Sequence, residues 1–212
     1  MKGYKLIIFD LDGTLVDAYP AITRSFNFTM RKLSAAPRAK QVIRRAVGWG
    51  DANLLRPFIK DKDLKKGVLI YRKHHKKALI EDSRLFSHAK KLLHYLKRKG
   101  YKLAVASNRP TRFSMILIRH LGLERYFDYV LCGDKLKQGK PHPEILIKIM
   151  RTFSLKPKDA LYIGDMNIDA QAGRRAKVRT IIVTTGSSGK GEIKKEKPYR
   201  IISGITELFR IL

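Results

Sequence analysis

Runs of apolar, β-favouring residues recur along the chain at 5–9, 102–106, 128–132, 160–164 and 180–184, and amphipathic patterns of helical period separate most of them. The bounds of those helices are readable: 87–99 ends before Gly100, 111–121 ends before Gly122, and 143–153 and 167–176 each open just after a Pro or a Gly-Asp turn. Strands alternating with helices in this way predict an α/β fold, a Rossmann-like, doubly wound parallel sheet covered on both faces. A short strand over 200–203 and a helix over 205–212 are expected to close the chain. The segment from Gly186 to Glu192, rich in Gly and Ser, reads as a mobile loop before them.

The alternation breaks once. Between the strand ending at Asp10 and the one beginning near Lys102 lie far more residues than a simple β-α-β crossover needs. Helical patterns fill the gap at roughly 18–34, 38–47, 51–60 and 62–80, broken by Pro37, by Val47-Gly48-Trp49-Gly50 and by Asp61. The expectation is a catalytic core made of residues 1–15 and 86–212, with an all-helical cap of 16–85 inserted after the first strand. An insert at that point hangs over the strand tips and acts as a lid.

The first apolar run ends on chemistry. Side chains two residues apart on an extended chain share a face, so Asp10 and Asp12 approach closely at the strand tip. Like charges that close raise one another's pKa unless a cation or hydrogen bonds offset them. The bland alternative is a strand followed by an Asp-Gly turn.

Composition narrows the classes. With 212 residues and 44% hydrophobic content the chain can bury one good core. No apolar run is long enough to span a bilayer and no signal-peptide pattern precedes the first strand, so no membrane partner and a cytoplasmic location are expected. The single cysteine, Cys132, follows an apolar run and reads as a small buried hydrophobe. A net charge of +28 raises the question of nucleic acid, but the basic residues are spread over core and insert alike, without a basic tail or an aromatic-basic ladder. The densest cluster, Tyr71 to Lys77, reads as a solvated helix face, with His74 and His75 at its surface.

Four strand-tip segments carry distinctive polar groups: Phe9-Asp-Leu-Asp-Gly-Thr14, Ala106-Ser-Asn108, Gly139-Lys-Pro-His-Pro-Glu144 and Ile163-Gly-Asp-Met-Asn-Ile-Asp-Ala170. In this order, each after its own strand or crossover, they resemble the four signature motifs of the haloacid dehalogenase-like phosphatase superfamily. The placement of the helical insert is similar to that in its phosphoglycolate phosphatase-like branch. The resemblance implies a Mg²⁺-dependent hydrolase of small phosphorylated metabolites, with phosphoglycolate the first compound to try.

It also implies roles. Asp10 would attack phosphorus and carry it as an aspartyl phosphate, and Asp12 would serve as general acid and then general base. Mg²⁺ would be held by Asp10, Asp165 and the backbone carbonyl of Asp12, with Asp169 orienting water on the metal or contacting Lys140. Ser107 and Lys140 would bind phosphoryl oxygens, Asn108 would add a donor or brace its loop, and Gly13 and Thr14 complete the phosphate-binding turn. Arg109 is either a reader of a second anionic group or a solvated loop charge. Trp49 either reaches toward substrate or closes a small helical core. His142 reads as a surface residue at a Pro-Pro turn. A second aspartate at position 12 disfavours carbon–halogen chemistry but leaves a phosphomutase open. Competing readings are a phosphatase of nucleotides, pyrophosphate or nucleic-acid ends, and a non-catalytic nucleic-acid-binding protein on the same fold. A monomer and a homodimer are both expected to be compatible with the sequence.

Overall fold

The computed structural model describes residues 3–212. Its centre is a six-stranded, all-parallel sheet built from β1 (Leu6–Phe9), β4 (Lys102–Ser107), β5 (Tyr129–Cys132), β6 (Ala160–Gly164), β7 (Arg179–Val183) and β8 (Arg200–Ile202), in the order β5-β4-β1-β6-β7-β8. Outside it, β2 (Val16–Asp17) and β3 (Arg84–Leu85) pair antiparallel as a two-rung ribbon. Every side chain of β1 is fully buried, because helices cover both faces. Burying each of those apolar side chains contributes about 1.5–3 kcal/mol, so the strand that carries Asp10 is among the most firmly held parts of the molecule.

Helices α1 (Tyr19–Lys32), α2 (Lys40–Ala46), α3 (Asp51–Leu55) and α4 (Leu64–Asp82) lie between β2 and β3 and form the insert. The rest flank the sheet: α5 (Ala89–Arg98), α6 (Thr111–His120), α7 (Glu144–Thr152), α8 (Asn167–Arg175), α9 (Lys190–Lys195) and α10 (Leu208–Ile211). Bounds differ from the sequence expectation by one to three residues for most elements. The helix expected over 51–60 is α3 continued by a 3₁₀ turn at Arg56–Phe58, where Pro57 interrupts regular pairing.

Two expectations need correcting. The segment 186–192 is not a loop throughout, since α9 begins at Lys190 and buries Ile193. The face of α4 around Tyr71 is not all solvated. Gly67, Tyr71, His75 and Ala78 recur at helical spacing and are buried, while Arg72, Lys73, Lys76 and Lys77 point outward. Cys132 is buried, as its apolar setting implies.

The strand order reverses at β1. The chain first winds outward through β4 and β5, then returns to lay β6 on the other side of β1. Open parallel sheets leave a crevice at the carboxyl ends of the strands where the order reverses. Asp10, Ser107 and Asp165 all sit at that rim, immediately after or at the end of β1, β4 and β6. The insert covers the same rim.

Candidate active site

Registration of the strands brings the polar groups together. Phe9 pairs with Val105 on one side and Ile163 on the other, and the Asp10 N–H donates to the Ile163 carbonyl at 2.9 Å. Beyond Asp10 the chain turns at once: the N–H groups of Leu15 and Val16 both donate to the Leu11 carbonyl. That turn folds Asp12 back over the strand tip.

A network of charges fills the rim. Lys140 Nζ lies 3.1 Å from Asp10 Oδ1 and 2.8 Å from Asp169 Oδ1, and also donates to the Ala106 carbonyl at 3.1 Å and to the Tyr162 hydroxyl at 3.0 Å. Asp169 is spoken for on both oxygens: Oδ1 also accepts from Tyr162, and Oδ2 accepts from the N–H groups of Asp165 and Met166 at the start of α8. Asp165 is held by the hydroxyls of Thr14, at 3.2 Å, and Tyr19, at 3.3 Å. Asp12 Oδ2 takes the Nε and Nη2 of Arg109 at 2.8 and 2.7 Å, while Asp12 Oδ1 is buried without a partner.

Ionisation follows from that burial. Burial pushes the Asp10 carboxyl up to about 7, against the pull of Lys140 and with added repulsion from Asp169 and Asp12. Asp165 is driven well above the ordinary carboxylate range by burial, then by Asp169 and Asp10. Burial alone would lower the Lys140 ammonium, but Asp10 and Asp169 outweigh it and hold it above the usual lysine range. So Lys140 stays charged, and one cation faces three buried acids.

Asp10, Asp165 and Asp169 offer carboxylate oxygens that all lie within 4.8 Å of one another, the geometry of a divalent cation site. Because Asp169 is committed to Lys140, Tyr162 and two backbone groups, Asp10 and Asp165 are the acids left to ligate. Two close approaches support the fit. A Cβ on Gly186 would stand 1.8 Å from Asp165 Oδ2, and one on Gly13, whose φ is +82°, would stand 2.3 Å from the same atom. Glycine is needed at both places to leave that carboxylate room. Hard oxygen donors in a buried, acid-rich cluster suit a divalent metal.

A cavity of about 570 Å³, counting its open mouth, lies between this rim and the insert. Asp10, Asp12, Ser107, Asn108, Arg109 and Lys140 line it from the core, and Ile22, Val47, Gly48, Leu54 and Tyr71 from the insert. Most sequence-expected site residues therefore converge. Gly13 and Thr14 do not face the cavity; they support Asp165 from behind. Asn108 is a brace, with its amide donating to the Gly48 and Lys140 carbonyls and accepting the Lys140 N–H at 2.7 Å. Ser107 lines the cavity, and its Oγ accepts the Arg109 N–H at 3.2 Å. Arg109 is buried rather than solvated. Trp49 is 48% exposed and is neither in the cavity wall nor in a helical core, because the positive φ of Gly48 and Gly50 turns the chain on both sides of it.

Sequence reading missed four contributors. His75 is 1% exposed and its Nε2 accepts Arg109 Nη1 at 2.8 Å, which corrects its expected surface position. Its one available signal was the i, i+4 spacing from Tyr71 on an otherwise charged helix. Tyr19 and Tyr162 support the acids from neighbouring elements. Arg44 on α2 lies over the Tyr19 ring, 4.4 Å from its centroid, and donates to the Thr185 and Gly186 carbonyls at 2.7 and 2.8 Å.

A family model described as haloacid dehalogenase-like hydrolase matches residues 7–183. Phosphoglycolate phosphatase 1 of Pseudomonas aeruginosa is 31% identical over 96% of this chain and 78% of its own length. A phosphoglycolate phosphatase of Aquifex aeolicus is 32% identical, over 86% of this chain and 85% of its own. Among solved structures, that of a predicted phosphoglycolate phosphatase from Haemophilus somnus superimposes with a TM-score of 0.94 at 27% identity, covering 100% of this chain and 99% of that one.

Proposed function

The chain belongs to the haloacid dehalogenase-like hydrolases, as a phosphatase acting on phosphoric monoesters, and from that premise we propose that it is a Mg²⁺-dependent phosphoglycolate phosphatase working through an aspartyl phosphate on Asp10. The observation that carries the reading is the placement of Asp10, at the tip of a fully buried strand, facing the cavity with Lys140 on one oxygen. A nucleophile so held meets its target along one line.

Asp10 attacks phosphorus and the phosphate ester bond to the leaving oxygen breaks. Asp12, turned back over the strand tip, gives that oxygen its proton and later takes one from the water that attacks the aspartyl phosphate, breaking its bond to Asp10 and releasing inorganic phosphate. Lys140 anchors Asp10 before the attack. As the Asp10 carboxylate is consumed in the new bond, the lysine charge is released to the phosphoryl oxygens, beside the Ser107 hydroxyl. Mg²⁺ bound by Asp10, Asp165 and the Asp12 carbonyl would offset the repulsion between carboxylate and phosphate. The insert serves as a cap that shields this chemistry from bulk water. The cytoplasm, where phosphorylated metabolites of this class occur, is the proposed location, with small phosphorylated substrates rather than nucleic acid as partners.

Replacing Asp10 by Asn keeps the shape and removes the nucleophile. Turnover of phosphoglycolate is expected to fall by roughly three orders of magnitude or more, and chelation of the metal is expected to abolish it in the parent protein. Appreciable multiple turnover by the Asn variant would exclude Asp10 as the attacking group.

A further inference from the structure

Only two cations line the cavity among the described residues, Lys140 and Arg109. The three hydrogens of Lys140 are taken by four acceptors, Asp10, Asp169, Ala106 and Tyr162. Arg109 is differently placed. Nε and one hydrogen of Nη2 go to the same Asp12 oxygen, and one hydrogen of Nη1 goes to His75. Of the five N–H donors of a guanidinium, one on each terminal nitrogen is left. A planar cation with two unused donors, buried in a cavity wall, matches a carboxylate.

Resting on the phosphatase reading above, we infer that Arg109 selects phosphomonoesters that carry a carboxylate close to the phosphate, and that His75 on α4 is the positioning residue that aims it. Arg109 follows Ser107 and Asn108 directly, so the group it binds lies within a few atoms of the phosphoryl group. Lys140 lines the same cavity, so the two anions of one short substrate can each meet a cation there.

His75 fixes the far side of the guanidinium. To accept from Arg109, its Nε2 must be unprotonated, which leaves Nδ1 facing the Ser25 hydroxyl at 3.1 Å. Burial, and then the Arg109 charge, keep this histidine well below its usual pKa, so it accepts rather than repels. The Tyr71 and Phe113 rings lie against the imidazole, at 4.7 and 5.4 Å between centroids, and prevent it from turning away. Ser25, Tyr71 and His75 all belong to the insert, whereas Arg109 belongs to the core. Selection therefore depends on the two parts being seated together.

The readout is a ratio: kcat/KM for phosphoglycolate divided by kcat/KM for ethyl phosphate, which has the same two-carbon body without the carboxylate. The parent protein is expected to favour the carboxylate by more than about tenfold, the range set by one buried charged hydrogen-bonding pair. In Arg109→Met the ratio is expected to fall about tenfold or more through KM for phosphoglycolate, with partial recovery in Arg109→Lys. In His75→Phe, which keeps the ring packing and removes the acceptor, a loss of a few fold is expected. An unchanged ratio in Arg109→Met overturns the inference even if both esters are hydrolysed, and so does a parent ratio near one. If Arg109→Met does not fold, the His75→Phe ratio decides in the same way. A parent protein that hydrolyses neither ester would instead overturn the phosphatase reading itself.

Discussion

The rim of the sheet and the helical insert above it are built on opposite terms. At the rim, acids and a lysine are crowded into burial and tied together by ion pairs and hydrogen bonds. In the insert most charges stand in water, and among the described residues a few side-chain polar contacts reach the core: Tyr19 to Asp165, His75 to Arg109, Gly48 to Asn108, and Arg44 and Arg45 to the 185–192 segment. The rim holds electrostatic strain that a divalent ion can relieve. The insert supplies the opposite wall of the cavity.

The sharpest test of that contrast is pH. Asp10 has a folded pKa of about 7, raised from 3.8 by burial, so the folded protein binds more protons than the unfolded chain between those values. Stability contributed by this group is therefore present at low pH and lost as pH rises through about 7. In metal-free protein the stability of the parent relative to Asp10→Asn should decline as pH rises from 4 to 8, measured by denaturant titration of both proteins. The comparison with the variant removes the contribution of groups that do not touch Asp10, and reads Asp10 together with the neighbours it perturbs, Lys140 and Asp165. Divalent metal should flatten the slope, because its binding displaces protons from the acids. A flat metal-free difference would mean that the rim is not strained.

Next in size is the Gly186→Ala change, which puts a methyl group 1.8 Å from Asp165 Oδ2. The carboxylate must move, and affinity for the divalent ion should weaken by about 10–100-fold, as for other disturbances of a ligand's supports. Calorimetric titration with Mg²⁺ measures it.

The smallest effect belongs to the contacts between the two regions. Arg44→Met removes two hydrogen bonds to the carbonyls of Thr185 and Gly186. A loss of about 1–2 kcal/mol is expected, seen as a melting point lower by about 2–8 °C for a chain of this size. A loss as large as that caused by disturbing the rim would erase the distinction between the regions.

How much of this was legible beforehand also divides along the same line. The strands are read from short segments, because a buried strand must be apolar and ends where its first charges appear; the six-stranded sheet and Asp10 at the tip of β1 were visible in that way. Lys140 in its loop and Asp165 and Asp169 around the start of α8 were visible only through the resemblance of their motifs. Contacts that join the insert to the core depend on which faces of distant helices meet. Nothing local distinguishes His75 from its half-buried neighbour His74, or Arg44 from Arg45, the other arginine of α2. The ribbon of β2 and β3 was missed because two residues are too few to show a period, and α9 because its glycines masked a helix start. Trp49 shows the reverse error, a residue conspicuous in sequence that the fold turns outward.

That ribbon has one more implication. The chain departs from the core at Val16–Asp17 and comes back at Arg84–Leu85, so its exit and its return are neighbours. Helices strung between two adjacent points can be lengthened, shortened or exchanged while the parallel sheet keeps all its pairings. A lineage carrying such an architecture can explore new substrates by rewriting what hangs from the ribbon, and leave the bond-breaking machinery as it inherited it.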